Sequence, residues 1–556
     1  MRTAPRTRLS RGPVVSALFL VGLMVALLGL PHEGVAASAS GWVIGTDTSG
    51  GYGVILHTAD DGETWVRQGS AGEIPNVSLT NVKAVNRDIA WVVGSTDGSY
   101  GVILRTTDAG LTWERRGDAT TVPNVVISGV GPVDSNTAWV VGDGGTILRT
   151  DDGGGHWAHQ PSGTTTDLWE VAAADDQNAW AVGPEDNGYA IVLHTANGGL
   201  TWQRQGTPAT LHATGFIDLT VVDAKTAWAV GQANSVVKTT DGGATWHTQM
   251  GTGIFSDNNG VHAVDGRTAW VAADYNTIYR TIDGGAIWNK QGLSLGGDFY
   301  LLGVSAVGPN AAWVVGGAVF PSQGGVIAHT PDAGVTWQIQ PTPVNVTFRR
   351  VAFVKPAAPS KPRAVTYGPV QGGSRIRWAG SPGATGYRVY SAGRLLGTTG
   401  PASRSLFVHR LLGPHAAITV VALGSYGTAS GAARGVYSLK ARVKVGTVRF
   451  RGNSSRLTLA TKRSLRAYAK LLSAQGFTRL YVDGYTAQHD HGSRAFRRRL
   501  SLTRAKHVKE YLTSRFRLLH HKIAIIATGH SGANPVGSNS TAAGTAINRR
   551  VELVLK

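Results

Sequence analysis

The octet TTDGGATW, residues 239–246, is one of seven similar segments in the first two thirds of the chain. The other six are TADDGETW (58–65), TTDAGLTW (106–113), TDDGGGHW (150–157), TANGGLTW (195–202), TIDGGAIW (281–288) and TPDAGVTW (330–337). The octets recur every 42–49 residues, and short β-branched runs alternate with Gly and Asp turns between them. This period predicts about four strands per unit and a β-propeller.

The first repeat is incomplete, and the end of the array supplies what it lacks. It begins at SGWVIG (40–45), without the innermost strand that opens the other repeats. After the seventh octet, VTFRRVAFV (346–354) has the pattern of that missing strand. We therefore predict an all-β, seven-bladed propeller over residues 40–354, closed by this last strand so that no sheet edge stays open.

The octet resembles the Asp-box, or BNR, repeat. We expect its Asp to accept turn N–H groups, its second glycine to take a positive φ and its Trp to pack between blades. In the fourth octet Asn197 replaces the Asp and can accept the same bonds. Turns spread around a ring cannot converge on one substrate, so we interpret the acids as structural rather than catalytic or metal-binding.

Sialidases also carry Asp-boxes, and that resemblance implies an arginine triad, a tyrosine nucleophile with its glutamate, and an acidic Asp. The repeats are poor in arginine and contain no RIP segment. They are more similar to propellers of the photosystem II stability/assembly-factor type, which implies a platform for an unknown protein partner. We predict no enzyme, no catalytic residue, no metal and no cofactor; the alternative is a glycan-acting enzyme that uses the propeller channel.

The interaction surface of such a platform is expected at one end of the ring. The residues that we expect on loops at that end are Trp169, Asp218, His262, Arg349 and Arg350. Because binding residues are often carried by loops on a rigid scaffold, these are candidates for contact with the partner.

The N-terminus has the order of a secretory signal peptide. Four arginines precede the apolar run VVSALFLVGLMVALLGL (14–30), and the small-residue stretch GVAASAS follows. We predict a signal peptide over residues 1–39, with an uncleaved anchor as the alternative. Either one places the rest of the chain outside the cytoplasmic membrane. The chain has no cysteine, which excludes disulfides, thiolate metal sites and a lipoprotein anchor.

Charge divides the chain sharply. Residues 41–361 hold 17 Lys+Arg against 29 Asp+Glu, whereas residues 362–556 hold 32 against 4. A strongly cationic exported region suits anionic cell-wall polymers, and export argues against nucleic acid as a partner.

A Pro/Lys-rich linker, KPAAPSKP (355–362), separates the repeats from residues 363–438. That region consists of short alternating strands around Trp378 and Tyr387, and it resembles a fibronectin type III domain. Ala416 stands where that family has a tyrosine. We predict a β-sandwich that acts as a spacer.

The last region, residues 440–556, changes to a mixed α/β pattern in the order β-α-β-α-β-β. Its first helix is expected to bury Leu459, Leu465, Ala469 and Leu472 on one face. The segments GYT (484–486), LSLTRA (500–505) and NRRVEL (548–553) occur in this order. They resemble the OmpA-like peptidoglycan-binding domain, so the chain is predicted to be an exported protein of the cell wall or periplasm, anchored non-covalently to peptidoglycan.

The resemblance also implies a ligand site. In that family, an Asp just after the GYT turn and the Arg of the LS-x-x-RA segment clasp the diaminopimelate of the peptide stem. An acid and a guanidinium can hold the ammonium and the carboxylate of such a group. Arg504 matches the family arginine, but Ala487 stands at the position of the Asp. We predict that Asp490, three residues later, replaces it; the alternative is a solvated loop acid.

Thr486 and Arg497 complete the predicted peptidoglycan-binding residues. Arg549 and Arg550 match the terminal arginine pair of the family and are interpreted as supporting the fold. The arginines of RAFRRRL (494–500) crowd beside this site with few acids nearby, so an anionic partner would relieve their mutual repulsion. Binding of anionic wall polymers by charge alone is therefore the second alternative.

Overall fold

The computed structural model describes residues 37–46, 53–211, 214–250, 256–319, 324–370, 373–438, 443–472, 477, 479–488, 490, 492–515, 523–532 and 535–555. The predicted signal peptide lies almost entirely outside these residues. The chain forms two compact units, of which one spans Ser38–Ala357 and the other includes Ala358–Lys556. None of the helices within the described ranges combines the length and apolarity that a membrane span requires.

The first unit consists of seven four-stranded antiparallel sheets, each ordered from an innermost to an outermost strand. The first three sheets are β28 (Thr347–Val354), β1 (Ser40–Thr46), β2 (Val54–Thr58), β3 (Val66–Arg67); β4 (Leu79–Ala84), β5 (Ala90–Thr96), β6 (Gly101–Thr106), β7 (Glu114–Arg115); and β8 (Ile127–Pro132), β9 (Ala138–Gly142), β10 (Thr146–Thr150), β11 (Ala158–His159). The next two are β12 (Glu170–Ala173), β13 (Ala179–Asp186), β14 (Tyr189–Thr195), β15 (Gln203–Arg204); and β16 (Phe216–Val221), β17 (Ala227–Gly231), β18 (Ser235–Thr239), β19 (His247–Met250). The last two are β20 (Asn258–Ala263), β21 (Ala269–Ala273), β22 (Thr277–Thr281), β23 (Asn289–Lys290); and β24 (Phe299–Ala306), β25 (Ala312–Ala318), β26 (Gly325–Thr330), β27 (Gln338–Ile339).

The strand that follows the seventh octet completes the first sheet. β28 pairs antiparallel with β1, with Val351 opposite Val43. The innermost strands contact one another in a closed series that runs from β4 through β8, β12, β16, β20 and β24 to β28, which contacts β4. This propeller-like arrangement surrounds a space that we call the channel.

The octets form the hydrogen-bonded turns predicted for them. Asp241 Oδ1 accepts the Thr245 N–H at 2.9 Å and the Thr239 hydroxyl at 2.8 Å. The Thr245 hydroxyl also donates to Asp241. Together these hydrogen bonds lower the pKa of Asp241 to about 2, and the bond from the Thr245 hydroxyl has the largest effect. Asn197 accepts the Thr201 N–H at 3.1 Å, as predicted for the substituted octet. The fifth residue of every octet is a glycine with φ between 82° and 97°.

A glutamine three residues after the octet Trp joins neighbouring sheets. Gln205 donates to the Gly242 carbonyl of the next octet at 2.8 Å, and its Oε1 accepts the indole N–H groups of Trp180 and Trp246. At the closure, Gln340 donates to the Asp61 carbonyl at 2.7 Å. The turns of consecutive sheets are thus tied by side chains as well as by packing.

The second unit begins with two four-stranded sheets around a common core that includes Trp378 and Tyr387. Their strands, in spatial order, are β33 (Ser405–Val408), β30 (Gly373–Arg377), β29 (Thr366–Val370), β36 (Val436–Tyr437) in one sheet and β32 (Arg394–Thr399), β31 (Gly386–Ser391), β34 (Ile418–Leu423), β35 (Ala433–Arg434) in the other. The Tyr367 hydroxyl donates to the Ala416 carbonyl at 2.7 Å. Ala416 therefore has a tyrosine partner from β29 although it is not a tyrosine itself.

Residues 443–555 form one mixed sheet and three helices. The elements are β37 (Val443–Arg449), α1 (Leu459–Leu472), β38 (Arg479–Gly484), α2 (Arg494–Arg515), β39 (Ala524–Gly529), α3 (Ala542–Asn548) and β40 (Arg550–Leu555). The sheet order is β37-β40-β38-β39, and only β38 and β39 pair in parallel. The predicted order therefore holds, with the short helix α3 added before the last strand.

The prediction of the buried face of α1 is wrong for one residue. Leu465, Ala469 and Leu472 are buried, but Leu459 is 67% exposed. Leu459 lies six residues before Leu465, and at 3.6 residues per turn this places it on a different side of the helix. The buried face follows the spacing i, i+4, i+7 from Leu465.

Candidate functional site

The loop between β38 and α2 turns Asp490 back into the protein. The Asp490 N–H donates to the Ala487 carbonyl, and the Ala487 N–H donates to Asp490 Oδ2, both at 3.2 Å. The Asp490 side chain is fully buried, and so is Ala487. Asp490 is therefore not a solvated loop acid, because its carboxylate is held inside the domain by its own loop.

Two guanidinium groups face this carboxylate. Arg549 Nε donates to Asp490 Oδ1 at 2.6 Å, and Arg504 Nη1 lies 3.7 Å from Asp490 Oδ2. The sequence predicted that Asp490 and Arg504 meet, and the structure brings them together. Arg549 joins them from a position 59 residues further along the chain. From the sequence, Arg549 was interpreted as a residue that supports the fold. Its position in the NRR motif was the signal that could have placed it at this site.

Arg504 lies beneath the site rather than at its surface. Its side chain is fully buried, and it donates from Nε to the Ser454 carbonyl at 2.8 Å, from Nη1 to Tyr485 at 3.1 Å and from Nη2 to Arg451 at 2.9 Å. Burial lowers the pKa of Arg504 to about 10, while Asp490 acts in the opposite direction, so the group stays charged at neutral pH. Arg504 thus fixes the backbone around Asp490.

Arg549 is the accessible member of the trio, with 23% of its side chain exposed. It lies over Gly452, where an added Cβ would sit 3.2 Å from the guanidinium carbon. Its Nε is committed to Asp490, and its two terminal nitrogens have no acceptor among the described residues. These N–H groups are available to an acidic group that arrives from solvent.

The other two predicted residues have different surroundings. Thr486 is buried, and its hydroxyl has no hydrogen-bond partner within the described part of the chain. A buried unpartnered hydroxyl is unusual, and this one lies in the same loop as Asp490, which marks the loop as a candidate for ligand contact. Arg497, by contrast, donates to the Gly492 carbonyl at 2.6 Å, and within the described ranges it forms no hydrogen bond or ion pair with Asp490 or Arg504. Arg497 braces the loop.

The terminal segment NRR also shapes the surroundings of the site. Asn548 Oδ1 accepts the N–H groups of Val536 and Gly537, which fixes the preceding loop. The Arg550 guanidinium lies 4.2 Å from the centre of the Tyr485 ring and donates to Glu552 at 2.7 Å. Arg550 therefore supports the fold, as predicted, while its neighbour Arg549 turns toward Asp490.

The surface around the site is cationic because acids are few in this part of the chain and three of the four are paired. Of the four acids after residue 361, Asp483 lies 3.1 Å from His530, Glu552 lies within 3.3 Å of two cations, and Asp490 is flanked by arginines. The remaining acid, Glu510, is exposed on α2. At the start of α2, Arg494, Arg498 and Arg499 are exposed, and no acid lies within 4.0 Å of them in the described ranges.

Four of the five propeller residues that we expected on loops lie in strands instead. Asp218 is in β16, His262 in β20, and Arg349 and Arg350 in β28, while Trp169 directly precedes β12. They lie in the innermost strands or at the ends of these strands. Because the connections between strands are short, residues that differ from repeat to repeat come together on the wall of the channel. The expectation of loop residues was wrong for those four residues, whereas Trp169 lies in the connection that leads into β12.

Comparison with known proteins identifies the C-terminal region. A model of the OmpA family matches residues 449–549, inside the interval predicted from sequence.

The chain carries an OmpA-like domain. The peptidoglycan-binding protein ArfA of Mycobacterium bovis and that of Mycobacterium tuberculosis are each 35% identical over 127 residues, which is 23% of this chain and 37% of theirs. The chain thus spans little more than a third of the length of these relatives. The peptidoglycan-associated lipoprotein of Burkholderia pseudomallei is 22% identical, covering 20% of this chain and 89% of that one, with a TM-score of 0.18.

The repeats have solved neighbours as well. YCF48 from Cyanidioschyzon merolae is 22% identical, covers 52% of this chain and 95% of that chain, and has a TM-score of 0.39.

Proposed function

We propose that this protein is exported to the cell envelope, is held there by peptidoglycan binding of its OmpA-like domain, and presents a seven-bladed propeller as a platform for another protein. The domain's family and the named activity of the ArfA relatives support the first part. The apolar N-terminal run supports export, and the repeats support the platform. The region around 363–438, with its resemblance to fibronectin type III, acts as the spacer. The protein is not an enzyme.

The observation that carries the binding proposal is the arrangement of Asp490 between Arg504 and Arg549. This trio has a net charge of +1, so it attracts a carboxylate, while Asp490 can compensate an adjacent ammonium. The diaminopimelate residue of a peptide stem carries both groups. In our proposal its carboxylate binds the free N–H groups of Arg549, and its ammonium takes the place of Arg549 at Asp490. Arg504 holds the acid in position, and the Thr486 hydroxyl supplies a further hydrogen bond.

The substitution Asp490→Asn separates recognition of the stem from attraction by charge. It raises the net charge of the domain by one, so binding that depends only on charge is expected to stay the same or become tighter. Recognition through Asp490 is expected to weaken about tenfold or more, because a charge-assisted hydrogen bond to the ligand is lost. The opposite directions make the two accounts distinguishable in one variant.

The measurement is isothermal titration of the full chain with the stem tripeptide L-Ala-γ-D-Glu-meso-diaminopimelate, together with sedimentation on purified peptidoglycan at low and high salt. A tripeptide with Lys in place of diaminopimelate keeps the side-chain ammonium but lacks the carboxylate on the same side-chain carbon. It serves as the ligand control. Arg466→Ala, an exposed arginine of α1, serves as the protein control. Salt-sensitive binding that Asp490→Asn leaves intact would instead support the charge-only alternative.

A further inference from the structure

The channel narrows where the innermost strands carry a bulge. The pairing register with the next strand shifts by one residue between Leu79 and Asn81 in β4, and equivalent shifts occur in β8, β16, β20 and β24. Glycines occupy the position after the bulge in three strands. At Gly129, for example, an added Cβ would lie 2.8 Å from the Glu170 Cα. At this position neighbouring innermost strands therefore lie very close together. The strands with glycine carry no side chain there, and only the other strands do.

Polar residues occupy the corresponding position in the other four innermost strands. They are Asn81, Glu170, Asp218 and Arg350, from β4, β12, β16 and β28. The innermost strands line a cavity of about 200 Å³, which we call the inner chamber. Its polar lining comprises Lys83, Asp218, Thr220, His262, Ser305 and Arg350. The chamber is thus a polar cavity on the axis of an otherwise apolar array.

The two acids here already have donors from the protein. Asp218 Oδ1 accepts the Leu219 N–H and Oδ2 accepts the Val261 N–H, each at 2.9 Å. Glu170 accepts bonds from the Asn81 amide and from its neighbour Val171, and Lys83 Nζ lies 3.7 Å away. These carboxylates are therefore occupied by the protein, which favours a structural part for them over acid–base catalysis.

The donors of the chamber are less fully used. The Thr220 and Ser305 oxygens accept backbone N–H groups, but their own O–H groups have no acceptor among the described residues. Arg350 spends Nη1 on the Leu302 carbonyl, while its buried Nε has no partner. The His262 ring makes no hydrogen bond to the part of the chain that the structure describes, and burial lowers its pKa to about 4, so it is neutral at pH 7 and carries one N–H. Lys83 has N–H groups beyond the one directed at Glu170.

We propose that the inner chamber binds a small oxyanion group, a carboxylate or a phosphate, through Lys83, Arg350 and the hydroxyls of Thr220 and Ser305. The donors converge from four strands, and a group with several acceptor oxygens satisfies them together. The backbone around these donors is held in place by buried residues of neighbouring innermost strands, such as Val130 and Val171. This assigns a ligand site to the propeller that is separate from the peptidoglycan site.

The test is isothermal titration of the full chain, at constant ionic strength, with inorganic phosphate and with N-acetyl-Ala-Ala carrying either a free C-terminal carboxylate or an amide. Binding of phosphate alone identifies a phosphate-type ligand. Binding of the free-acid peptide but not of its amide identifies a carboxylate, such as a chain terminus. Either result supports an oxyanion site, and saturable binding of neither probe overturns it.

The site itself is tested with the double variant Lys83→Met, Glu170→Gln, which removes both members of the charge pair together and leaves no buried charge alone. We expect the dissociation constant to rise about tenfold or more. Thr220→Val removes one hydroxyl with little change in shape, and it decides the question if the double variant does not fold. Lys225→Met, at an exposed lysine of the same unit, is the matched control. Unchanged affinity in the chamber variants, or equal loss in the control, would refute the site.

Discussion

The closure of the propeller can be tested at Gln340, whose side chain joins the seventh sheet to the first octet. Its amide donates to the Asp61 carbonyl at 2.7 Å and accepts the Trp65 indole N–H at 3.2 Å. The Asp61 carbonyl also accepts the Trp313 indole N–H at 3.0 Å, so it keeps one partner if Gln340 is lost. Trp65 is 6% exposed, and its N–H would have no other recorded partner.

These contacts give the size of the effect of Gln340→Ala. The lost bond to Asp61 costs about 1 kcal/mol, and leaving the buried Trp65 N–H unsatisfied costs about 1–3 kcal/mol. The freedom regained when a glutamine side chain is removed offsets about 1.5 kcal/mol. We therefore expect the free energy of unfolding of the propeller to fall by about 0.5–2.5 kcal/mol.

Tryptophan fluorescence during urea unfolding measures this change. Fifteen of the 16 tryptophans lie in the propeller unit, so the signal reports mainly on that unit in the intact chain. Gln338→Ala changes an exposed glutamine in β27, two residues before Gln340, and is expected to alter stability by less than about 0.5 kcal/mol. If Gln340→Ala and Gln338→Ala lower stability equally, the side-chain link across the closure does not stabilise the ring as reasoned.

Two further substitutions test the C-terminal site and the channel. Arg504→Lys is expected to destabilise the OmpA-like domain by about 2–4 kcal/mol, because an ammonium cannot reach three carbonyls in the geometry of a guanidinium. Thermal unfolding followed by circular dichroism at 222 nm measures this loss of stability. An equal loss in the exposed Arg499→Lys variant would contradict the prediction. Burial raises the pKa of Glu170 from its ordinary 4.5 to about 7 against the opposing effect of Lys83, so the folded state binds this proton more tightly and loses that stability as pH rises from about 4.5 through 7. Glu170→Gln should therefore raise the unfolding midpoint, relative to the unmodified protein, more at pH 8 than at pH 5, and an equal difference at both pH values would contradict this account.

The octet shows how much a local pattern can predict. Thr239, Asp241 and Thr245 lie within seven residues, and their hydrogen bonds form inside one turn. Such bonds depend on nearby residues only, so the turn, the positive φ of Gly243 and the role of the Asp could be read from the sequence. The partner of that turn could not, because Gln205 lies in the preceding sheet, 37 residues away from Gly242. The Gln that recurs three residues after the octet Trp could be seen in the sequence. Its role could not be predicted, because it forms no hydrogen bond within its own turn.

The C-terminal site divides in the same way. The segments GYT, LSLTRA and NRRVEL indicated the domain and directed attention to Asp490 and Arg504, since order and spacing of motifs are properties of the chain itself. That Asp490 is buried, that Arg504 is covered and that Arg549 is the accessible cation depend on distances between remote segments.

The sequence by itself determined the number and spacing of the repeats, the turn chemistry of each octet, the strand that completes the first sheet and the presence of the OmpA-like domain. Only the tertiary structure decided which cation meets Asp490 and which side chains enter the channel. The physical reason is the range of the interactions involved. Turn hydrogen bonds join residues a few positions apart, whereas Arg549 reaches Asp490 because β40 is inserted between β37 and β38, and the chamber forms because seven strands from the whole repeat array meet on one axis.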